Sequence, residues 1–280
     1  MSDTCLIQAA GLYERPGDPR LAIVDCRFEL GKSGEGRRLY DAGHLPGAVF
    51  ADMDGDLAGP VTAQSGRHPL PSPEAFAGAL ARWGIDTQTP VVAYDQGHGA
   101  GAARLRWMLK AIGHEAPVQV LDGGFAAWTA AGLPLSTAEP VRTPVEVAPR
   151  PFAGWLTAAD VSEGLATRTI LLVDARGADR FAGQNETIDP VAGHVPGALN
   201  RPFLQNLGAD GRFKPADVLR REWRALLGED QGSRVVAMCG SGITACQNLL
   251  ALEIAGLFGG RLYAGSWSEW IRDPRRPVAP

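Results

Sequence analysis

The chain has 280 residues and a formal net charge of −4, from 27 Lys and Arg against 31 Asp and Glu. This balance argues against a nucleic-acid-binding protein, because such domains usually carry an excess of clustered basic residues. With 45% apolar and 21% charged residues, the chain can bury a sizeable core, and its length suggests two domains. It has neither a run of about 20 apolar residues nor a secretory signal pattern, so we expect a cytoplasmic protein without a membrane span.

Four sequence blocks recur in the same order in the two halves of the chain. The first half contains LAIVDCRF (21–28), DAGHLPGAVF (41–50), VVAYDQGHGAGAARLRWML (91–109) and LDGGFAAW (121–128). The second half contains ILLVDARG (170–177), VAGHVPGALN (191–200), VVAMCGSGITACQNLLALE (235–253) and YAGSWSEW (263–270). Such a repeat indicates two related domains. The intervening residues 136–152 hold four Pro and lack a clear apolar period, so we predict domains at 1–137 and 153–280 with a linker at 138–152.

Each half predicts a small α/β domain with a mainly parallel sheet flanked by helices. Short runs such as IVD, VVAY, LLVD and VVAM are typical of buried parallel strands, and they alternate with helix-like segments such as PEAFAGALARWG and PADVLRREWRALLG. Ser72 before Pro73 is a favourable helix N-cap, and Gly84 is a helix stop. Together they predict a helix at about 73–83.

The four cysteines of the chain are expected to be free thiols. Cys5, Cys26, Cys239 and Cys246 form no CxxC pair and no Cys/His cluster with zinc spacing, so the sequence predicts neither a disulfide framework nor a metal site. No nucleotide-binding glycine motif occurs in the required context, and we expect no cofactor.

A nucleophile is expected where the strand VVAM ends, because ligands of parallel sheets bind beyond the carboxyl ends of the strands. Cys239 stands there, followed by Gly-Ser-Gly and a helix-compatible segment, whereas the first half has Asp95 at the matching place. A glycine-rich loop can turn its N–H groups towards the sulfur, and a helix N-terminus adds positive potential, so both favour the nucleophilic thiolate. An ordinary buried cysteine is the alternative interpretation.

The repeated VD[CA]R and GH[LV]PGA blocks and the CGSGITAC loop resemble the tandem-domain rhodanese family of sulfurtransferases. The resemblance spans about residues 6 to 272, and the CGSG loop is similar to that of the family's 3-mercaptopyruvate sulfurtransferases. It implies two rhodanese-like domains with the active site at their interface, and a persulfide on Cys239 as intermediate. Sulfur would pass to a thiol acceptor such as thioredoxin or a small thiol, or to cyanide, and pyruvate would be released. We expect a monomer.

The resemblance also implies roles for particular side chains. Arg180 matches the family's substrate-carboxylate arginine, and a guanidinium fork suits a carboxylate. Ser241, with His68 and Asp54 from the first half, matches a Ser-His-Asp arrangement for proton transfer. The rest of the loop is expected to bind the substrate, namely Gly240, Gly242, Ile243 and Thr244.

Some residues depart from the family pattern or repeat for structural reasons. The family's mercaptopyruvate enzymes often have a second arginine after Arg180, whereas QNETIDPVA (184–192) contains none, and either Asn185 or Glu186 could line that wall. His44 and His194 recur in the GHxPGA turns and are interpreted as structural histidines.

Three alternative functions each fit part of this sequence pattern. A thiosulfate:cyanide sulfurtransferase is the nearest, because of the missing second arginine. A related phosphatase would need Arg six residues after Cys239, where Ala245 stands. A non-catalytic sulfur carrier or redox sensor would have no use for the carboxylate-binding Arg180.

Overall fold

The computed structural model describes residues 5–15, 20–228 and 231–280, which form two compact units. The first unit comprises the described residues up to Gly59, then Leu70–Ala153 and Ala209–Arg212. The second comprises Pro60–Pro69, Gly154–Gly208 and the described part of Phe213–Pro280. By their contacts, the proposed linker residues 138–152 group with the first unit, and the domain boundaries drawn from the sequence stay a prediction.

The first unit is built on a sheet of five parallel strands flanked by helices, as predicted. The strand order is β1-β5-β4-β2-β3. The strands are β1 (Leu6–Ile7), β2 (Ala22–Asp25), β3 (Ala48–Phe50), β4 (Val91–Tyr94) and β5 (Val118–Leu121). The helices are α1 (Ala9–Tyr13), α2 (Glu35–Ala42), α3 (Pro73–Arg82), α4 (Ala100–Ala111) and α5 (Gly124–Ala130).

Helix α3 begins and ends where the sequence predicts. The hydroxyl of Ser72 accepts a hydrogen bond from the N–H of Ala75 at 3.1 Å, which satisfies one of the free N–H groups of the first turn. Gly84 ends the segment with φ of +65°, a conformation that glycine adopts without a steric penalty.

The second unit repeats this architecture with a sheet of four parallel strands in the order β7-β6-β8-β9. The strands are β6 (Leu171–Asp174), β7 (Leu199–Asn200), β8 (Val235–Met238) and β9 (Arg261–Leu262). The helices are α6 (Ala158–Ala166), α7 (Ala178–Phe181), α8 (Ala216–Leu227), α9 (Thr244–Ile254) and α10 (Ser266–Trp270), with 3-10 turns at Phe203–Asn206 and Gly232–Arg234. Trp155 forms a parallel bridge to Leu262, at the place where β1 pairs with β5 in the first unit.

Buried ion pairs explain the repeated VDxR block. In the first unit, Arg27 Nη2 lies 2.7 Å from Asp25 Oδ2, and in the second, Arg176 Nη2 lies 2.7 Å from Asp174 Oδ2. All four side chains are almost completely buried, so each charge needs its partner. The pair therefore fastens the end of a central strand to the loop that follows it.

The repeated histidines are structural, as interpreted from the sequence. His44 Nδ1 lies 2.9 Å from the carbonyl oxygen of Tyr40, and His194 Nδ1 lies 2.8 Å from that of Phe181. Each imidazole also stacks on the same residue's ring, with centroids 3.9 Å apart. Among the described residues, no helix is both long and apolar enough to cross a membrane.

Candidate active site

Cys239 lies at the carboxyl end of β8, in a loop whose N–H groups point at its sulfur. The N–H of Gly242 donates to Cys239 Sγ at 3.0 Å, and that of Ser241 at 3.4 Å. Helix α9 begins directly after the loop, so its positive N-terminus faces the same region. Cys239 is 2% exposed, so its sulfur is surrounded by the loop and contacted by two backbone N–H groups.

The loop is held in this shape by the first turn of α10. The N–H of Cys239 donates to Ser266 Oγ at 3.0 Å, and its carbonyl oxygen accepts from the N–H of Trp267 at 2.9 Å. The carbonyl oxygen of Gly240 accepts from the N–H of Ser268 at 3.0 Å. These carbonyl groups therefore point towards α10, which leaves the N–H groups free to face the sulfur.

Gly242 is required by its own conformation and by its neighbour. Its φ is +83°, and a Cβ at this position would lie 2.4 Å from the carbonyl oxygen of Ala264. We expect Gly242→Ala to lower the free energy of unfolding by about 1–3 kcal/mol. We also expect it to reduce turnover, because the cysteine loop must shift to make room for the methyl group. Denaturant unfolding and steady-state turnover measure the two effects.

Gly154→Ala is the matched control for Gly242→Ala. Gly154 has φ of +75° but no atom within 4 Å of the added Cβ, so only the conformational cost of about 1 kcal/mol remains. Turnover of this variant should equal that of the wild type. Equal losses of stability and turnover in the two variants would show that the close approach to Ala264 is unimportant.

Ser241 is paired with His68, which is carried by the segment Pro60–Pro69. His68 Nδ1 lies 2.8 Å from Ser241 Oγ, and both residues are buried. The segment belongs to the second unit and packs closely on the rest of it, since a Cβ at Gly66 would lie 2.4 Å from the carbonyl oxygen of Gly265. This close packing fixes the imidazole against the serine of the cysteine loop.

The remaining predicted site residues lie in different places. Ile243 is buried at the start of α9, and Thr244 is its first residue. Asp54 follows β3 in the first unit, where it is exposed and its N–H donates to Asp52 Oδ1 at 3.0 Å. The role of Asp54 with His68 stays a prediction.

Arg180, on α7, is held by two carboxylates. Its Nη2 lies 2.9 Å from Glu186 Oε1 and 3.0 Å from Asp189 Oδ2, and its Nε lies 3.1 Å from Glu186 Oε2. Burial acts to raise the pKa of the Glu186 carboxyl. The N–H groups of Asp189 and Ile188 and the Arg180 guanidinium outweigh burial, so this pKa lies below its ordinary value. Of the two residues that the sequence offered beside Arg180, Glu186 and not Asn185 contacts the guanidinium.

Arg67 is a candidate site residue that the sequence analysis missed. Its Nη1 contacts Asp189 Oδ1, on the carboxylate whose other oxygen contacts Arg180. A Cβ placed on Gly240 would lie 2.7 Å from Arg67 Nη2 and 3.9 Å from the Nη atoms of Arg180. A second guanidinium therefore stands beside the cysteine loop, supplied by the Pro60–Pro69 segment instead of residues 184–192.

The matching loop of the first unit is filled by its own carboxylate. Asp95 Oδ1 accepts hydrogen bonds from the N–H groups of Gly97 and Gly99, and Oδ2 accepts one from Gly101, all at 2.9 Å. The amide cradle that faces a sulfur in the second unit thus faces an oxygen anion in the first. Asp95 therefore occupies, in the first unit, the place that Cys239 occupies in the second.

Comparison with known proteins identifies the family. The model of the rhodanese-like domain matches residues 8–131 and 157–273, one match in each half. The chain belongs to the rhodanese-like family. Among the described residues of this rhodanese-like protein, no group of three or more His, Cys, Asp and Glu side chains could hold a metal ion.

Several relatives match over almost the whole length of both chains. A Pseudomonas aeruginosa protein named "Probable 3-mercaptopyruvate sulfurtransferase" is 48% identical over 281 residues, covering 100% of this chain and 99% of its own. SseB of Mycobacterium tuberculosis, whose name gives thiosulfate sulfurtransferase as a provisional activity, is 41% identical over 97% of this chain and 94% of its own. The crystal structure of SseA from Escherichia coli, described as a 3-mercaptopyruvate sulfotransferase, has a TM-score of 0.81 and 33% identity, covering 95% of this chain and 100% of that one.

Proposed function

We propose that this rhodanese-like protein is a 3-mercaptopyruvate sulfurtransferase whose nucleophile is Cys239. The observation that carries the proposal is that three kinds of chemical group meet at one loop. Amide N–H groups face the Cys239 sulfur, the His68 imidazole contacts Ser241, and two guanidinium groups stand beside Gly240. The full-length similarity to proteins named for this activity supports the same reaction.

The first half-reaction transfers sulfur to Cys239. The thiolate attacks the sulfur of 3-mercaptopyruvate, an S–S bond forms, and the C–S bond breaks with its electron pair moving to the carbon. Pyruvate leaves as the enolate, and one proton converts it to pyruvate. The transferred sulfur loses the proton of the donor thiol, so the persulfide is an anion as the thiolate was. One proton is lost and one is taken up by the enolate, and protons and charge balance over the step.

The amide cradle favours both the thiolate and the persulfide, because each carries negative charge near the Ser241 and Gly242 N–H groups. Arg180 and Arg67 are suited to the substrate carboxylate, because their Nη atoms face Gly240 and guanidinium N–H groups form charge-assisted hydrogen bonds with carboxylate oxygens. Anchored at Gly240, that carboxylate would keep the donor sulfur within reach of Cys239.

Ser241 is suited to the ketone oxygen of the donor. Its hydroxyl can donate to the developing enolate while it accepts a proton from His68, with which it already forms a hydrogen bond. Asp54 is proposed to orient the imidazole, as the carboxylate of a Ser-His-Asp triad does.

The second half-reaction regenerates the thiolate. A thiol acceptor such as thioredoxin or a small thiol, or cyanide, would remove the outer sulfur and give ping-pong kinetics. A monomer in the cytoplasm, with no cofactor, is part of this proposal.

Thiosulfate is the second candidate donor, favoured by the similarity to SseB. Thiosulfate releases sulfite and forms no enolate, so its transfer needs no proton from a serine. Ser241→Ala should therefore lower kcat/KM for 3-mercaptopyruvate by about 10- to 100-fold and change the value for thiosulfate by less than about threefold. Both values are measured with cyanide as acceptor.

Ser162→Ala is the matched control, because it removes a hydroxyl that bonds a backbone carbonyl on α6, outside the loop. This variant should behave as the wild type with both donors. If Ser241→Ala slows the two donors equally, the hydroxyl only supports the loop and the proton-transfer role is wrong. If thiosulfate is the better donor of the wild type, the donor assignment is wrong.

A further inference from the structure

Asp189 joins the two arginines that face the cysteine loop. Its Oδ2 lies 3.0 Å from Arg180 Nη2, its Oδ1 contacts Arg67 Nη1, and the side chain is 2% exposed. The backbone N–H of Asp189 donates to Glu186 Oε1 at 3.0 Å, so the Glu186 carboxylate is also tied to this residue. The buried carboxylate of Asp189 therefore lies between the two guanidinium groups that are proposed to bind the substrate carboxylate.

The charges around this carboxylate cancel. Arg67 and Arg180 contribute two positive charges, while Glu186 and Asp189 contribute two negative charges. Arg176 lies 3.6 Å from Glu186, but its charge is already paired with the buried Asp174. The subsite thus holds strong hydrogen-bond donors with no net charge.

Donor groups remain for a ligand in spite of this pairing. Within the described part of the chain, Arg67 Nε is buried and has no hydrogen-bond partner. Arg67 Nη2 lies against the Cα of Gly240, 2.7 Å from the position that a Cβ would take there, so this nitrogen faces the cysteine loop. The Nη atoms of Arg67 and Arg180 that face Gly240 are thus the groups on which an anionic ligand of this loop would act, and Asp189 lies directly behind both.

We propose that Asp189 determines donor specificity by cancelling positive charge in this subsite, so that a monoanion is favoured over a dianion. The inference rests on the proposed function, because it concerns the donor of the same site. The Coulomb energy between Asp189 and a ligand is proportional to the ligand's charge, and it is strong at a site largely shielded from water. Repulsion by Asp189 thus acts twice as strongly on thiosulfate as on the monoanion of 3-mercaptopyruvate.

Removing this charge gives a quantitative test with two anions of similar shape. Sulfate is a dianion and methanesulfonate a monoanion, and both are tetrahedral. Their dissociation constants can be read from protection of the Cys239 peptide against iodoacetamide, a neutral reagent, at low ionic strength. In Asp189→Asn, we expect binding to tighten by about threefold for methanesulfonate and by about the square of that factor, tenfold, for sulfate.

A second variant and a control separate charge from packing. Glu186→Gln removes the other carboxylate charge and should also tighten sulfate more than methanesulfonate. Asp217→Asn removes an exposed aspartate that pairs with Arg221 on α8, and it should change neither constant. In steady state, Asp189→Asn should raise the ratio of kcat/KM for thiosulfate to that for 3-mercaptopyruvate by about threefold or more.

Equal changes for the two anions, or weaker binding of both, would overturn the inference, because a residue that only supports the arginines does not distinguish ligand charge. The protection assay needs no turnover. Failure of 3-mercaptopyruvate to load Cys239 would therefore refute the proposed function and leave the test of Asp189 intact.

Discussion

Replacing Cys239 by serine is expected to abolish sulfur transfer from every donor. The serine hydroxyl is a far weaker nucleophile than a thiolate, and the amide N–H groups around the position stabilise a sulfur anion that no longer forms. Cys239→Ser should lower kcat by more than about 1,000-fold, to the limit of the assay. Pyruvate release and thiocyanate formation are the two measurements.

Cys246→Ser is the matched control for this variant. Cys246 is a buried thiol on α9 whose Sγ lies 3.3 Å from the carbonyl oxygen of Gly242, and a serine hydroxyl can donate to the same carbonyl. We expect Cys246→Ser to retain turnover within a few-fold of the wild type. Substantial turnover by Cys239→Ser, or its loss in Cys246→Ser alone, would place the nucleophile elsewhere.

Replacing Arg180 by methionine should produce the second largest effect, mainly on KM. The guanidinium is suited to a charge-assisted bond with the substrate carboxylate, and such bonds contribute about 1.5–3 kcal/mol. We therefore expect KM for 3-mercaptopyruvate to rise by about 10- to 100-fold, with a smaller change in kcat. Arg180→Lys keeps the charge but loses the planar guanidinium, so its KM should lie between those of the wild type and Arg180→Met.

The Arg180 variant needs a control for its fold, because Glu186 and Asp189 lose a partner. The rate at which iodoacetamide modifies Cys239 should stay within a few-fold of the wild type if the loop is intact. An unchanged KM in a folded Arg180→Met protein would refute the role of this residue in carboxylate binding.

Local sequence patterns were enough to predict the architecture of each unit. The repeated blocks place β2 and β6, and β4 and β8, at matching positions, and the parallel pairing of the two sheets confirms the predicted α/β class. The family match confirms the resemblance. The helix at Pro73–Arg82 was predicted because its capping signals lie next to it in sequence.

The composition of the anion subsite could not be predicted, because it depends on contacts between residues far apart in sequence. Arg67 and Asp189 are separated by 122 positions, and no periodicity links them. The family pattern directs attention to a second arginine within 184–192, where Glu186 was one of two candidates and Asp189 was not singled out. The position of Arg67 directly before His68 was the one available signal, since a segment that carries His68 to the loop must carry its neighbour too.

Cys239 is proposed to accept sulfur from 3-mercaptopyruvate, and this transfer can be detected in the mass of the intact chain. The purified protein is incubated with 3-mercaptopyruvate and, separately, with thiosulfate, and is weighed before and after cyanide. We predict a gain of one sulfur atom at Cys239, formed faster from 3-mercaptopyruvate and removed by cyanide. An unchanged mass with 3-mercaptopyruvate would show that Cys239 does not accept sulfur from this donor.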